Sequence, residues 1–194
     1  MGFLVRVLKF LLALILASVV VLWFAAHRGD RGYIGLEVAI DRPAPMVFRW
    51  ITSDQLLRRW ISGLVKLQKT GSAGLAQAND VYRIDEFIAQ RRVDFDAKVI
   101  RVTPEELELA VKPAAEPSGG YTATADFKLF PSGDYTRLVF TSHSDFQSVG
   151  DQMIEPILTY ATKRKLEEDL TRLKLMMEAE PATPSDNRGR TAGE

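Results

Sequence analysis

The sequence contains no cysteine and only two histidines, and its charges cancel, with 25 Lys plus Arg against 25 Asp plus Glu. The absence of cysteine excludes disulfides, thiolate zinc sites and cysteine nucleophiles together. It leaves the compartment open, because a cysteine-free domain folds equally well in reducing and oxidising surroundings. The balanced charge excludes the basic excess with which a protein neutralises phosphates, so no nucleic-acid partner is expected. There is no P-loop, dinucleotide glycine fingerprint or nucleophile elbow. Histidine is scarce enough to be taken residue by residue. His27 lies at the edge of an apolar run, where it reads as a flanking residue. His143 is left as the one histidine for general acid–base work. Its neighbours Ser142, Ser144 and Asp145 cannot all converge on it, since adjacent side chains of a strand point to opposite faces. No two histidines have ligand spacing, and Asp94/Asp96 and Glu106/Glu108 read as solvated charges. Neither a metal nor a cofactor is expected.

What remains is ordinary for a globular protein: 194 residues, 46% hydrophobic and 26% charged. That length suits one domain with appendages. One stretch stands out. From Phe10 to Ala26 there is no charged residue, and Ser18 is the one polar side chain. Seventeen helical residues rise roughly 25 Å, a little short of a hydrocarbon core of about 30 Å. Leu4, Val5, Val7 and Leu8 extend the apolar surface, Arg6 and Lys9 can snorkel to headgroups, and Trp23 sits where an interfacial aromatic is expected. A cleaved signal peptide is the competing reading. The run exceeds the usual apolar core of such a peptide, and Trp23-Phe24-Ala25-Ala26 lacks a small-x-small cleavage pattern. The expectation is an uncleaved transmembrane anchor over residues 1–27, contacting the membrane through residues 4–26, followed by a linker at 28–32. Arg6 and Lys9 before the run, against Arg28, Asp30 and Arg31 after it, tilt the domain to the outer, periplasmic side of a bacterial-type inner membrane.

Beyond the linker, Tyr33 to Asp41 alternates Ile34, Leu36, Val38 and Ile40 against Tyr33, Gly35, Glu37 and Ala39, the pattern of a half-buried strand. Met46–Thr52 and Asp54–Ile61 read as two short helices, with Ser53 or Asp54 capping the second. Strands follow at Gly63–Lys69, Asp80–Ala89, Arg92–Thr103 and around Leu107–Val111. A loop over Glu116–Gly120 precedes a last hairpin of Tyr121–Phe130 and Tyr135–Phe146. Gln152–Glu178 is one long helix, on which Ile154, Ile157, Leu158, Ala161, Leu166, Leu170, Leu173 and Met177 form an apolar stripe. The basic cluster Lys163-Arg164-Lys165 reads as a solvated face of that helix, and Pro156 as tolerable only in a first turn or at a kink. From Pro181 onward the composition is that of a disordered tail, assigned to residues 180–194.

Strand, two short helices, a six-strand antiparallel meander and a long C-terminal helix form an order that resembles the helix-grip fold of the SRPBCC superfamily. That superfamily includes START lipid-transfer, birch-pollen-allergen-like and polyketide cyclase/dehydrase-like proteins. The run Glu37-Val38-Ala39-Ile40-Asp41-Arg42-Pro43-Ala44-Pro45-Met46-Val47-Phe48 is similar to the family's opening strand and its turn into a phenylalanine-bearing helix. Trp50-Ile51-Thr52-Ser53 through Arg59-Trp60-Ile61 resembles its first two helices, and Leu170 to Glu178 the end of its last. The likeness covers about residues 33–179. It implies an α+β helix-grip, a seven-stranded antiparallel sheet wrapped around the long helix, with a deep cavity between them for an apolar ligand.

Candidate cavity residues are Phe48, Trp50, Trp60, Phe95, Tyr121 and Phe127, which serve equally as core, together with Arg83 and His143. On the strand around Arg83, either Val81, Arg83, Asp85 and Phe87 or Tyr82, Ile84, Glu86 and Ile88 could face inward. The leading functional expectation is a non-enzymatic, membrane-anchored domain that binds an apolar small molecule or lipid. The alternatives are a cyclase or dehydratase using Arg83, Asp85, Tyr121 or His143, and an envelope adaptor whose protein partner is unknown.

Overall fold

The computed structural model describes residues 6–7, 10–19, 32–71, 74–88, 90–114, 121–147 and 149–180. A first helix, α1, occupies residues 10–19. The domain then runs β1 (Tyr33–Ile40), α2 (Ala44–Thr52), α3 (Asp54–Trp60), β2 (Leu64–Thr70), β3 (Val81–Ile88), β4 (Arg91–Thr103), β5 (Glu106–Pro113), β6 (Tyr121–Ser132), β7 (Tyr135–Phe146) and α4 (Val149–Ala179). Every strand pairing is antiparallel. The sheet order is β1-β7-β6-β5-β4-β3-β2, so the meander from β2 to β7 is closed off by β1 returning against β7. This is the expected α+β arrangement, with element ends shifted by a few residues.

Alternation decides the two faces of the sheet. Ile34 and Ile40 on β1, Leu138 and Phe140 on β7, Ala125, Phe127 and Leu129 on β6, Leu107 on β5, Ala97 and Val99 on β4, and Tyr82 on β3 are all buried. The opposite face carries charge. Arg83 reaches Asp94 and Asp96, Arg101 reaches Glu106 and Glu108, Lys128 reaches Glu106 and Asp126, and Arg137 reaches Glu37. Such exposed ladders contribute little individually, but they mark this face as the one turned to water.

The packed core sits under α2, α3 and the C-terminal half of α4. Val47, Trp50 and Ile51 of α2, Trp60 of α3 and Leu170, Leu173 and Met177 of α4 close on the sheet. Trp60 Nε1 donates to the carbonyl of Trp50 at 3.2 Å, bracing the two short helices against each other. The far end of α4 is stapled to the corner after β1. Glu178 Oε1 accepts the Asp41 N–H at 2.9 Å, and Arg42 Nη2 donates to the Glu178 carbonyl at 2.9 Å.

Helix α4 begins at Val149, earlier than its periodicity suggests, and carries Pro156 within it. Pro156 lies on the exposed side of the helix, where solvent can reach a carbonyl left without its usual donor. The cluster Lys163-Arg164-Lys165 does not share one solvated face. Arg164 points outward to Glu168, whereas Lys165 turns toward the sheet. At 100° per residue these neighbours diverge, and Lys165 shares its line with Leu173 and Met177.

The residues described in α1 are all exposed, Phe10, Leu12 and Leu16 among them. Among the described residues no helix is long and apolar enough to cross a membrane. Residues 1–5, 8–9 and 20–27 of the expected anchor, residues 28–31 of the linker and the tail from residue 181 lie outside the described residues.

Candidate functional site

The inner face of the sheet changes character along its length. At the end covered by α2 and the C-terminal half of α4 it is fully packed. At the other end, Ile84 of β3, Val93 and Phe95 of β4, Val111 of β5, Tyr121 and Ala123 of β6 and Phe146 of β7 are half-buried. Phe95, Tyr121 and Phe146 lie beyond the packed core altogether. The register puts them side by side: Phe95 pairs with Ile84, Val111 with Ala123, and Tyr121 with Phe146. The Tyr121 and Phe146 rings stack at 5.8 Å between centroids. The N-terminal half of α4 passes over this end. Gln152 donates to the Phe146 carbonyl at 3.2 Å, and Glu155 Oε1 accepts the Gly32 N–H at 2.8 Å. The result is a half-buried apolar strip on the inner face of the sheet, lined by aromatic rings and continuous with the core at one end, and this strip is the candidate cleft between sheet and helix.

Buried charges stand where the cleft meets the core. Lys165 Nζ lies 2.8 Å from Glu86 Oε2 and 2.7 Å from Asp169 Oδ2. Asp169 Oδ1 also accepts the Ser62 N–H at 2.7 Å, which ties α4 to the turn after α3. Side-chain exposures of 11% for Lys165, 9% for Glu86 and 2% for Asp169 place all three away from bulk water. Burial pushes the Glu86 carboxyl above the usual range, with the Asp169 charge adding to it and Lys165 only partly compensating. Burial alone would lower the Lys165 ammonium, but Glu86 and Asp169 together outweigh it and hold it raised and charged. The Tyr121 phenol is raised by burial and then by the charge of Glu86, so both groups act within one electrostatic environment.

A second buried cluster lies nearer β2. Lys69 Nζ pairs with Asp80 at 2.9 Å, and among the described residues the hydroxyl of buried Tyr82 has no hydrogen-bond partner. On the outside of α4, an open groove of about 810 Å3 runs past Arg59, Glu168, Arg172 and Leu175, on the side away from the sheet.

The candidate residues therefore separate. Phe95 and Tyr121 line the cleft. Trp50, Trp60 and Phe127 are packed core, with Phe127 against Phe140 at 4.8 Å, and Phe48 is half-buried against that core. Arg83 and His143 do not belong to the cavity. Both fall on the outer face, because the inward set on β3 is Tyr82, Ile84 and Glu86, and on β7 it is the even-numbered residues. Asp85 also faces outward, where hydrogen bonds from Arg92 hold its carboxyl below the usual range. Of the four residues proposed for an enzyme, only Tyr121 faces the cleft. The residues missed were Glu86, Lys165 and Asp169. A signal exists for two of them, Lys165 and Asp169: 165, 169, 173 and 177 recur at four-residue spacing, so two charges stand in line with two core side chains.

No curated protein matches this sequence. Solved structures do match it in fold. A protein from Rhizobium leguminosarum is 16% identical with a TM-score of 0.61, covering 78% of this chain and 97% of that one. A protein from Chromobacterium violaceum is 15% identical with a TM-score of 0.59, covering 77% and 99%. The Zhui aromatase/cyclase of a Streptomyces species is 18% identical with a TM-score of 0.61, covering 83% and 97%. At these identities the likeness is one of fold. The family model described as polyketide cyclase / dehydrase and lipid transport matches residues 34–178, nearly the whole helix-grip domain. The chain belongs to that polyketide cyclase / dehydrase and lipid transport family.

Proposed function

We propose that this protein is a membrane-tethered binding domain that takes an apolar small molecule or lipid into the cleft between sheet and α4, without transforming it. The carrying observation is the contrast along the inner face of the sheet. One end is filled, while the other presents half-buried Ile84, Phe95, Val111, Tyr121 and Phe146 beside a buried charge cluster. Small-molecule sites have this make-up, apolar walls with a few fixed polar groups.

The cluster also selects the ligand's polar end. Glu86 and Asp169 carry two carboxylates against the single ammonium of Lys165. In a low-dielectric cleft this favours a hydrogen-bond donor, such as a hydroxyl or amine, and repels a carboxylate. The ligand is thus an apolar molecule ending in a donor group, rather than a fatty acid.

The tether is supported by the charge-free run Phe10–Ala26 and by its lone polar side chain. Ser18 Oγ donates to the Leu14 carbonyl at 2.8 Å, meeting its need within the helix. Held on the outer face of the membrane, the domain would meet membrane-dissolved ligands at a raised effective concentration.

The test is native mass spectrometry of the full chain released from nanodiscs, with extraction of the bound fraction. One apolar, donor-bearing molecule per chain, recovered unchanged, is expected. A clean unliganded mass after incubation with membrane extract would refute the reading.

A cyclase or dehydratase is favoured by one observation, the raised Glu86 carboxyl sharing a cleft with the raised Tyr121 phenol. A carboxyl raised toward neutral pH is suited to moving a proton, while the raised phenol stays neutral and can serve as a hydrogen-bond donor beside it. Recovery of a chemically altered molecule, lost in a Glu86→Gln variant that still binds, would establish that reading instead.

A further inference from the structure

The half of α4 that roofs the cleft has an unusual outer surface. Met153, Ile157 and Tyr160 are 60%, 71% and 68% exposed, and Ile154 beside them is 42% exposed. Residues 153, 157 and 160 follow the i, i+4, i+7 spacing of one helix stripe. Buried Glu155 lies on the opposite side of the same turns. On the outer face of the sheet exposed apolar side chains such as Phe87, Ile100 and Phe130 stand singly among ion-paired charges. On this half of α4 consecutive turns expose large apolar side chains, and among the described residues nothing covers them.

The position of this stripe relative to the point where the chain enters the domain is fixed. The Gly32 N–H is bonded to Glu155 Oε1 at 2.8 Å, directly beneath the stripe. Gly32 holds φ +66, and a Cβ there would meet the Ser144 carbonyl oxygen at 2.2 Å, so the chain enters the domain at a defined point. From Ala26, the last residue of the apolar run, six residue steps reach Gly32, a span of at most about 21 Å. A helix with its side chains is about 10–12 Å across. If Ala26 is at the membrane surface, the N-terminal half of α4 therefore stands within two helix diameters of it. Past Tyr160 the exposed residues become Lys163 and Arg164, cations suited to anionic headgroups, and then Glu167 and Glu168, which are not.

We infer that the outward stripe Met153–Ile154–Ile157–Tyr160 is a membrane-docking surface, and that its partner is the bilayer into which residues 4–26 insert. Lys163 and Arg164 lie at headgroup level, and the acidic turn at 167–168 marks where the helix leaves the surface. This rests on the tethered reading above and deepens it. The helix that roofs the cleft is the element laid on the membrane, so an apolar ligand passes between bilayer and cleft beneath it rather than through bulk water. Because the tether supplies proximity, the docking contact itself need only be weak.

The absence of cysteine makes the test clean, since any introduced thiol is the only one. The full chain is reconstituted into vesicles of phosphatidylcholine and phosphatidylglycerol. Nitroxide labels are placed singly at Ile157→Cys, Tyr160→Cys, Glu167→Cys and Leu14→Cys, all exposed positions. Power saturation with oxygen and with a water-soluble nickel chelate then reads the surroundings of each label. The oxygen-to-nickel access ratio is expected to be severalfold higher at 157 and 160 than at 167, and highest at 14. A lipid-buried label at 14 with water-like values at 157 and 160 would overturn the docking and leave the tether standing. A water-like label at 14 would remove the tether, and the docking with it. Labels at 157 and 160 shielded from both probes would show a protein cover, either a second copy or the N-terminal segment folded back, and would also overturn the inference.

Discussion

Replacing Lys165 with methionine keeps the length of the side chain and removes its charge. In the folded protein it would strip both ion pairs, at 2.8 Å to Glu86 and 2.7 Å to Asp169, and leave two buried carboxylates with no cation between them. Breaking a buried pair by deleting one partner costs about 3–5 kcal/mol, since the remaining charge stays desolvated. For a domain of this size each kcal/mol moves Tm by about 2–4 °C, so a fall of roughly 6–20 °C is expected. The pH dependence carries the sharper signature. Glu86 is already raised above its ordinary value of 4.5, and without Lys165 it rises further. A carboxyl raised by folding stabilises the fold while protonated, and that stability is lost as pH climbs from the unfolded value through the folded one. The deficit of the variant is therefore small near the unfolded value and reaches its full size above the folded one. Thermal unfolding of the full chain in detergent micelles, followed by circular dichroism at about pH 5 and about pH 8, measures it. Adding Glu86→Gln should recover a large part of the loss at the higher pH. A cost below about 1 kcal/mol, independent of pH, would mean that the cluster behaves as an exposed pair and would refute the reasoning.

Leu173 is fully buried between α4 and the sheet, and Leu173→Ala should cost about 2–5 kcal/mol in denaturant unfolding. Arg83→Ala and His143→Ala act on the outer face, and each should leave stability within about 0.5 kcal/mol and ligand retention unchanged; lost retention in either would put the site on the wrong face. The Glu178 carboxyl is lowered by the hydrogen bond from Lys174 and then by the Asp41 N–H, so its stabilisation is present above the ordinary value of 4.5 and lost as pH falls through the folded value. Glu178→Gln should accordingly flatten the acid limb of the unfolding profile, and an unchanged limb would assign it to other carboxylates.

The fold was legible because its elements obey strong local rules. Alternation from Tyr33 to Ile40, the hairpin signals between the later strands and the stripe ending at Met177 each set an element's type, and their order set the topology. Ile154 and Ile157, counted in that stripe, are nevertheless exposed and do not share the buried face of Leu170, Leu173 and Met177. The site was less legible, for a physical reason. Sequence periodicity gives two faces of a strand but does not say which faces inward when both are mixed. On β3, Arg83 and Asp85 alternate with Tyr82, Ile84 and Glu86, and each set holds both apolar and charged residues. What decides it is a partner far along the chain: Lys165, turned inward from α4, makes Glu86 tolerable inside. The charges of Lys163-Arg164-Lys165 could likewise be counted from the sequence, but their division between faces depends on where Leu173 and Met177 pack.

That division also bears on what the cluster is for. A line of residues at 165, 169, 173 and 177 would close on the sheet with leucine or methionine at every position, and replacing buried ion clusters by well-packed apolar side chains is often neutral or stabilising by about 1–4 kcal/mol. Beyond the Ser62 N–H that Asp169 accepts, stability of the fold therefore does not call for the ion cluster of Glu86, Lys165 and Asp169. Nor does solubility, since all three are withdrawn from water. They stand at the boundary where packed core gives way to half-open cleft, which is where a ligand's polar end would stop if its apolar body filled the space beside Phe95 and Tyr121. A triple replacement by Leu, Met and Leu separates the two roles. It should keep or raise Tm while abolishing selectivity for donor-bearing ligands over their hydrocarbon analogues. A triple variant that unfolds, or one that binds with undiminished selectivity, would take the cluster out of recognition.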